Sequence, residues 1–323
     1  MIWKTLARRA LHGAGGLGVI RAARRRAIRV MMFHDFSEAT SSNVDEICAH
    51  VARHYEPVTL SRIETAISGG AGLPDNAVAV TVDDGYRNFL AWGHPLFRKH
   101  KIPVSLFAIS GFAQGGMWLW WDQVRFTLEN ARRTSIRAEL LPDLTLNLDL
   151  SSTEAKAAAA DKLIETLKTI PDEAMRDFLF RLSGLCGVEL PPDPSDECAA
   201  MTWEELRAVS AEGTEIGCHT ATHPILSRVS SRSQLHAEIL GARETMEARL
   251  GFPVTQFCYP NGRESDIDEA AIQCVRDAGF TSAVTCTWGL NENEVDRLRI
   301  RRVPFKSDLD LRYGAELLCG LHL

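Results

Sequence analysis

Ala77-Val-Ala-Val-Thr-Val82 runs straight into Asp83-Asp84-Gly85-Tyr86. A continuous, largely apolar run closed by a turn signal reads as a strand buried on both faces, the kind found in parallel sheets. Ile28-Arg-Val-Met-Met-Phe33, ending at His34-Asp35, precedes it, and Pro103-Val-Ser-Leu-Phe-Ala-Ile109, closed by Ser110-Gly111, follows. Helical patterns over Val44–Tyr55, Leu60–Ser68 and Phe89–His100 separate the three. This alternation predicts a parallel α/β sheet or barrel. Chemistry in such folds sits at strand exits, which is where Asp83 and Asp84 fall.

The rhythm breaks between about Ala113 and Cys198. Met117-Trp-Leu-Trp-Trp-Asp122, Ala- and Lys-rich helical stretches and Pro-rich Leu190–Pro194 read as a helical insertion within a domain spanning 28–323. Alternation resumes with a helix over Thr202–Ala211, opened by a capping box at Thr202 and Glu205. A strand over Thr214–Cys218 delivers His219, and a helix over Ser231–Gly251 ends at Gly251 and Pro253. A strand over Val254–Cys258 opens into Tyr259-Pro-Asn-Gly262. A helix over Ile267–Ala278, strands over Thr281–Thr285 and Ile300–Val303, and a helix over Asp308–Cys319 complete the pattern.

With 323 residues, 45% of them hydrophobic, the chain can bury a substantial core. A net charge of -6 and a pI near 6.0 argue against a general nucleic-acid binder. The eight cysteines are scattered and form no Cys-x-x-Cys pair, which points to isolated thiols in a reducing compartment. Segment 1–27 is basic and reads as partly helical, without the unbroken apolar run of a secretory signal. It either touches an anionic membrane surface or packs on the outside of the domain. A cytoplasmic location, with membrane association as an option, is the expectation. Gly13-Ala-Gly-Gly-Leu-Gly18 fits a dinucleotide pattern formally, but Lys4–His12 before it is basic and helical, not a strand.

Two carboxylates side by side at a buried strand end repel each other unless a cation or shared proton offsets the repulsion. His219-Thr-Ala-Thr-His223 places two imidazoles four residues apart at another strand exit. One Asp and two His make an oxygen–nitrogen set for a divalent ion with open positions, leaving the other Asp as a base. Together they predict a metal-dependent hydrolase. Trp118, Trp120 and Trp121 suit either stacking on pyranose rings or core packing. His12, His50, His54, His94, His100 and His236 read as solvated.

Thr81-Val-Asp-Asp-Gly85 resembles the first motif of the NodB-homology polysaccharide deacetylases, carbohydrate esterase family 4. His219-Thr-Ala-Thr-His223 resembles their His-Ser/Thr-x-x-His box, and the likeness runs from about Met31 to Phe305. The resemblance implies a distorted (β/α) barrel, an incomplete TIM barrel with fewer than eight full repeats. It implies a divalent metal, usually zinc with cobalt as an alternative, held by Asp84, His219 and His223, with Asp83 as general base. The implied reaction removes an N-acetyl group from an N-acetylglucosamine-type unit of a polysaccharide, oligosaccharide or lipid-linked glycan.

The third motif of that family, Arg-x-Pro-Tyr, would fall on Tyr259-Pro-Asn-Gly262. Cys258 then stands at the Arg position and Asn261 at the Tyr position. The Asn261 backbone N–H remains a candidate oxyanion donor, and Arg263 and Arg302 are candidates to orient Asp83. Leu321-His322 is a chance likeness to the family's late Leu-x-His motif. His34, at the end of the first strand, is the alternative general acid, or else a packing residue. Tyr86, Tyr259, Pro260 and Trp120 complete the expected substrate-binding set. These departures mark a divergent branch. Two rival readings are a non-catalytic carbohydrate-binding relative and a metal amidohydrolase acting on a small non-sugar amide.

Overall fold

A computed structural model of the chain describes residues 15–292 and 294–321. Its strands are β1 (Arg29–Phe33), β2 (Glu56–Pro57), β3 (Ala77–Val82), β4 (Val104–Ala108), β5 (Ser135–Leu141), β6 (Leu144–Asp149), β7 (Glu215–Cys218), β8 (Gln256–Cys258), β9 (Ser282–Trp288) and β10 (Ile300–Pro304). Seven parallel strands follow the order β1-β10-β9-β8-β7-β4-β3, and β3 pairs back to β1, closing a barrel. The two-residue β2 pairs in parallel with the start of β3. This is the distorted barrel with fewer than eight full repeats that the motifs implied.

Side chains alternate across the barrel wall. Met31 and Phe33 of β1 and Val78, Val80 and Val82 of β3 join the large cluster shared with the surrounding helices, including Ser41–His54 and Trp203–Ala211. The intervening Val30, Ala77 and Ala79, with Phe107, Cys258, Val284 and Ile300, fill the interior. Burying a Val, Leu, Ile or Phe completely contributes about 1.5–3 kcal/mol relative to exposure. Helix Leu60–Ile67 plugs the lower end with Leu60 and Ile63. Glu215 at the start of β7 accepts the Leu60 N–H at 3.0 Å, and Ser282 at the start of β9 donates to Glu64 at 3.2 Å. The same parity continued upward turns Thr81, Asp83, Cys286 and Arg302 into the open top.

The insertion is not purely helical. β5 and β6 form an antiparallel hairpin, which packs with helices Trp120–Glu129, Thr153–Leu167 and Asp172–Cys186 around a separate core containing Leu148, Leu163 and Phe178. Ser135-Ile-Arg-Ala-Glu-Leu-Leu141 alternates exposed and buried positions. Its Ala, Glu, Arg and Leu favour helix, so propensity masks the period of two.

Two helices carry π turns. Phe89–Gly93 precedes His94–Lys99, and Ala237–Gly241 interrupts the helical stretch between Arg232 and Leu250. A π turn shifts the faces of the helix beyond it. Not all histidines of the outer helices are solvated. His94 is buried against Phe89, and His100 Nε2 lies 2.7 Å from an Asp45 carboxylate oxygen.

At the N-terminal end, helix Gly16–Ala23 buries no residue. Fully buried Arg29 donates to the carbonyls of Leu318, Ala27 and Arg24, tying β1 to the C-terminal helix Leu311–Leu318. Lys4–His12, Gly13 and His322 lie outside the described residues. Among the described residues no helix is long and apolar enough to cross a membrane.

Candidate active site

β3 delivers Asp83 and Asp84 to the top of the barrel on opposite sides of the chain. Asp84 has φ 71° and Gly85 φ 83°. A Cβ on Gly85 would sit 3.3 Å from the Ala108 Cβ, so glycine suits both the conformation and the close approach. Six described non-glycine residues have positive φ, and four of them, Asp84, Thr220, His223 and Asn261, lie in the loops that form the site. Backbone strain gathered this way is characteristic of functional loops.

Asp84 Oδ1 lies 3.5 Å from His219 Nε2 and 3.6 Å from His223 Nε2, and all three residues are buried. The His219 Nδ1–H donates to the Cys258 carbonyl at 2.7 Å, which leaves Nε2 with a free lone pair facing Asp84. Asp84 Oδ1 and His223 Nδ1 have no hydrogen-bond partner. Burial pushes the His223 imidazole down to about 3, with His219 beside it acting in the same direction, so the ring is neutral as a ligand must be. An orphaned buried carboxylate oxygen facing two imidazole nitrogens fits a divalent cation. Ligand arms of about 2.1 Å in a tetrahedral site would put donor atoms about 3.4 Å apart, close to the separations seen here.

Asp83 has a different partner. Its two oxygens accept from Arg302 Nη1 and Nη2, each at 2.7 Å, a bidentate pair buried on both sides. Arg302 also donates to the Thr285 carbonyl and to Thr81 Oγ1. Burial opposes the charge on Asp83, but the Arg302 guanidinium holds its carboxyl well below the usual carboxylate range. Of the two candidate arginines, Arg302 on β10 is the one paired with Asp83, while Arg263 lies on the rim, 3.4 Å from Glu165. Cys258 sits beside the pair, with Arg302 Nη2 3.2 Å from its sulfur. Burial keeps its thiol neutral, raised well above the ordinary value. His34 Nε2, on a 43% exposed side chain, lies 3.7 Å from Asp83 Oδ2.

The loop from His219 to His223 is held from two sides. The His223 N–H donates to Thr220 Oγ1 at 2.9 Å. Buried Glu238, on the π turn Ala237–Gly241, accepts from the N–H groups of Ala221 and Thr222 and from the Thr222 hydroxyl. Arg176 of the insertion donates to the same hydroxyl at 2.8 Å.

These groups open on a cavity of about 640 Å³, one wall of which comes from the insertion: Trp120, Trp121, Asp122, Arg125, Ile164 and Lys168. Trp121 packs edge-on against His223 and donates from Nε1 to the Tyr86 hydroxyl. Tyr86 donates in turn to Asp122 Oδ2 at 2.6 Å. Burial pushes the Asp122 carboxyl up to about 6. Tyr86, Trp120, His34 and Asn261 thus lie on the cavity. Tyr259 and Pro260 do not. Tyr259 is 1% exposed and packs on Phe257 in the outer core, because β8 turns it away from the barrel axis, and Pro260 is buried beneath the turn. Asn261 turns its side chain onto Asp266. Trp118 is a core residue, donating to the Pro191 carbonyl. The sequence reading missed Glu238 and Asp122. Glu238 lies inside an ordinary helical pattern and gave no signal; Asp122 stood beside the quoted tryptophans.

Comparison with known proteins agrees with the barrel fold. The family model for polysaccharide deacetylase matches residues 167–283. Three solved deacetylases superpose on most of the chain. Streptococcus pyogenes deacetylase PplD, solved in complex with acetate, is 13% identical with a TM-score of 0.57, covering 90% of this chain and 98% of its own. IcaB from Ammonifex degensii is 15% identical with a TM-score of 0.56, over 91% and 98%. The BpsB deacetylase domain from Bordetella bronchiseptica is 15% identical with a TM-score of 0.53, over 87% and 96%. The chain therefore shares the fold of these deacetylases and is similar to the polysaccharide deacetylase family over residues 167–283. Among curated proteins, the poly-beta-1,6-N-acetyl-D-glucosamine N-deacetylase of Escherichia coli K12 is 38% identical over 50 residues, 16% of this chain and 7% of that protein. A second family model, the DnaB-helicase binding domain of primase, matches residues 143–189. In this chain those residues are part of the insertion and supply several residues of its core.

Proposed function

We propose that the protein is a metal-dependent carbohydrate N-deacetylase acting on an N-acetylated hexosamine unit. The observation that carries this reading is the pairing of two adjacent groups: an Asp84–His219–His223 set with an orphaned carboxylate oxygen, and Asp83 gripped by Arg302. A divalent ion such as zinc held by the first set would polarise the acetyl carbonyl and make water a stronger acid. Asp83, fixed and ionised by Arg302, accepts the proton of the attacking water. A carboxylate held so low is a weak base, so the water must be acidified for the transfer to succeed. His34, facing Asp83 from the open side, gives a proton to the departing amine nitrogen as the C–N bond breaks. The Asn261 backbone N–H is assigned to the developing oxyanion. Tyr86 and the Trp120–Trp121 wall would orient the sugar.

The non-catalytic rival rested on missing Arg and His partners. The Arg302 fork on Asp83 and His34 at 3.7 Å support the catalytic reading over that rival. The test is acetate release from N-acetylglucosamine oligosaccharides, measured beside metal content by elemental analysis. The wild-type chain should carry about one divalent ion and release acetate. Asp83→Asn should keep the ion and lose turnover by about 100-fold or more, whereas His219→Ala should lose both. Acetate release that survives in Asp83→Asn, or a metal-free wild type after incubation with zinc or cobalt, would overturn the reading.

A further inference from the structure

Helix Gly16–Ala23 lies at the N-terminal ends of the barrel strands, opposite the catalytic cavity. The carbonyl of Arg25, just beyond the helix, accepts the N–H of Asn76 at the foot of β3. Three contacts hold its inner side. The Arg21 guanidinium lies over the Tyr55 ring, 5.6 Å from the centroid. Cys319 Sγ donates to the Leu17 carbonyl at 3.5 Å, and Arg24 donates to the Gly320 carbonyl at 3.2 Å. The outer side carries Val19, Ala22 and Ala23, spaced i, i+3, i+4 and all exposed, Val19 by 70%. A surface helix ordinarily turns charge to water and apolar residues inward. Here the order is reversed: Arg21, the helix's one charged residue, turns in, and an apolar face turns out.

Exposed Arg24, Arg25 and Arg26 follow this face directly. Residues 1–34 hold eight Lys and Arg and no acid, in a chain of net charge -6. Three of those cations, Lys4, Arg8 and Arg9, lie outside the described residues. The negative end of a helix dipole favours a neighbouring cation. Arg24 supplies it, so Arg25 and Arg26 are in excess. Arg25 pairs with exposed Asp75 at 3.1 Å.

We infer that this end of the molecule docks on an anionic lipid surface, with Val19, Ala22 and Ala23 set into the headgroup boundary and Arg25 and Arg26 on the lipid phosphates. The inference does not depend on the deacetylase reading. Interfacial binding draws on buried apolar area and on attraction to anionic lipid, and this face offers both. A nucleic acid would satisfy the arginines and leave the apolar face bare. A second copy would cover the apolar face but bring its own arginines against the first set. Docked this way, the chain would point its catalytic cavity away from the bilayer.

The experiment is co-sedimentation of the full chain with vesicles of phosphatidylcholine alone and of phosphatidylcholine mixed with phosphatidylglycerol. Binding to the mixed vesicles should be tighter by about tenfold or more and should weaken as salt rises. Arg25→Glu/Arg26→Glu should remove most of that gain, and Val19→Asp should weaken binding by about tenfold. Far-UV circular dichroism and thermal unfolding of both variants check that the fold is kept; neither change touches the helix's inner contacts. Equal binding to the two kinds of vesicle, or binding that survives either variant, would overturn the inference. So would a DNA duplex bound as tightly as the mixed vesicles, which would mark a general polyanion patch. A dimer by analytical ultracentrifugation that Val19→Asp dissociates, with no vesicle binding, would assign the face to a second copy and overturn it as well.

Discussion

At the scale of single residues, the site divides labour between two adjacent aspartates by giving them different neighbours. Asp84 meets two imidazoles and no donor; Asp83 meets a guanidinium fork. Arg302 both aims Asp83 and keeps it ionised. Arg302→Lys replaces two parallel hydrogen bonds with one point charge. It should lower kcat/KM by about 100-fold through misplacement of Asp83, the proposed base. It should also move the acid limb of the pH profile upward, since a weaker hold on the charged form raises the Asp83 pKa. A full pH profile of both proteins checks this, and an unchanged acid limb would separate Arg302 from Asp83 function. Asp84, His219 and His223 were legible from sequence as candidates, because Asp84 follows β3 and both histidines lie in the short loop after β7. Arg302 was one of two candidates until the fold chose it, since it lies 219 residues from Asp83.

At the scale of elements, strands set positions and irregular turns set directions. The His219–His223 loop, with left-handed Thr220 and His223, is pinned by Glu238 through three hydrogen bonds. Glu238 reaches the loop from a π turn, which a regular helical reading of Ser231–Gly251 does not contain. Groups that position metal ligands typically affect affinity by 10–100-fold. Glu238→Ala should therefore weaken zinc binding by about that factor, read by competition with a chromogenic chelator, while far-UV circular dichroism stays the same. Undiminished zinc affinity would show that the loop holds its shape without Glu238.

At the scale of the whole molecule, a closed parallel barrel carries the acid and imidazole groups, and the insertion supplies one wall of the cavity above them. The two parts have separate hydrophobic clusters. Phe178 is fully buried in the insertion core, and Phe178→Ala should cost about 3–5 kcal/mol there. Turnover should then fall while the metal content of the barrel remains. Thermal unfolding, elemental analysis and acetate release measured on the same sample distinguish this from global unfolding. Simultaneous loss of metal and turnover would mean that the barrel and insertion unfold as one cooperative unit.

The sequence by itself determined the parallel α/β alternation and the metal-ligand candidates, with the barrel implied by the family resemblance. Buried strands announce themselves as short apolar runs, and Asp83-Asp84 and His219-x-x-x-His223 sit where those runs stop. It fixed neither the hairpin of β5 and β6, whose residues favour helix, nor the outward rotation of Tyr259 into the core. Tertiary structure alone decided which arginine grips Asp83, that Glu238 holds the histidine loop, and that Trp120 and Trp121 face the cavity while Trp118 does not. The reason is physical. Periodicity and motif spacing are properties of neighbours along the chain. The closure of β3 onto β1, and of β10 beside it, brings together groups from opposite ends of the chain that no local pattern relates.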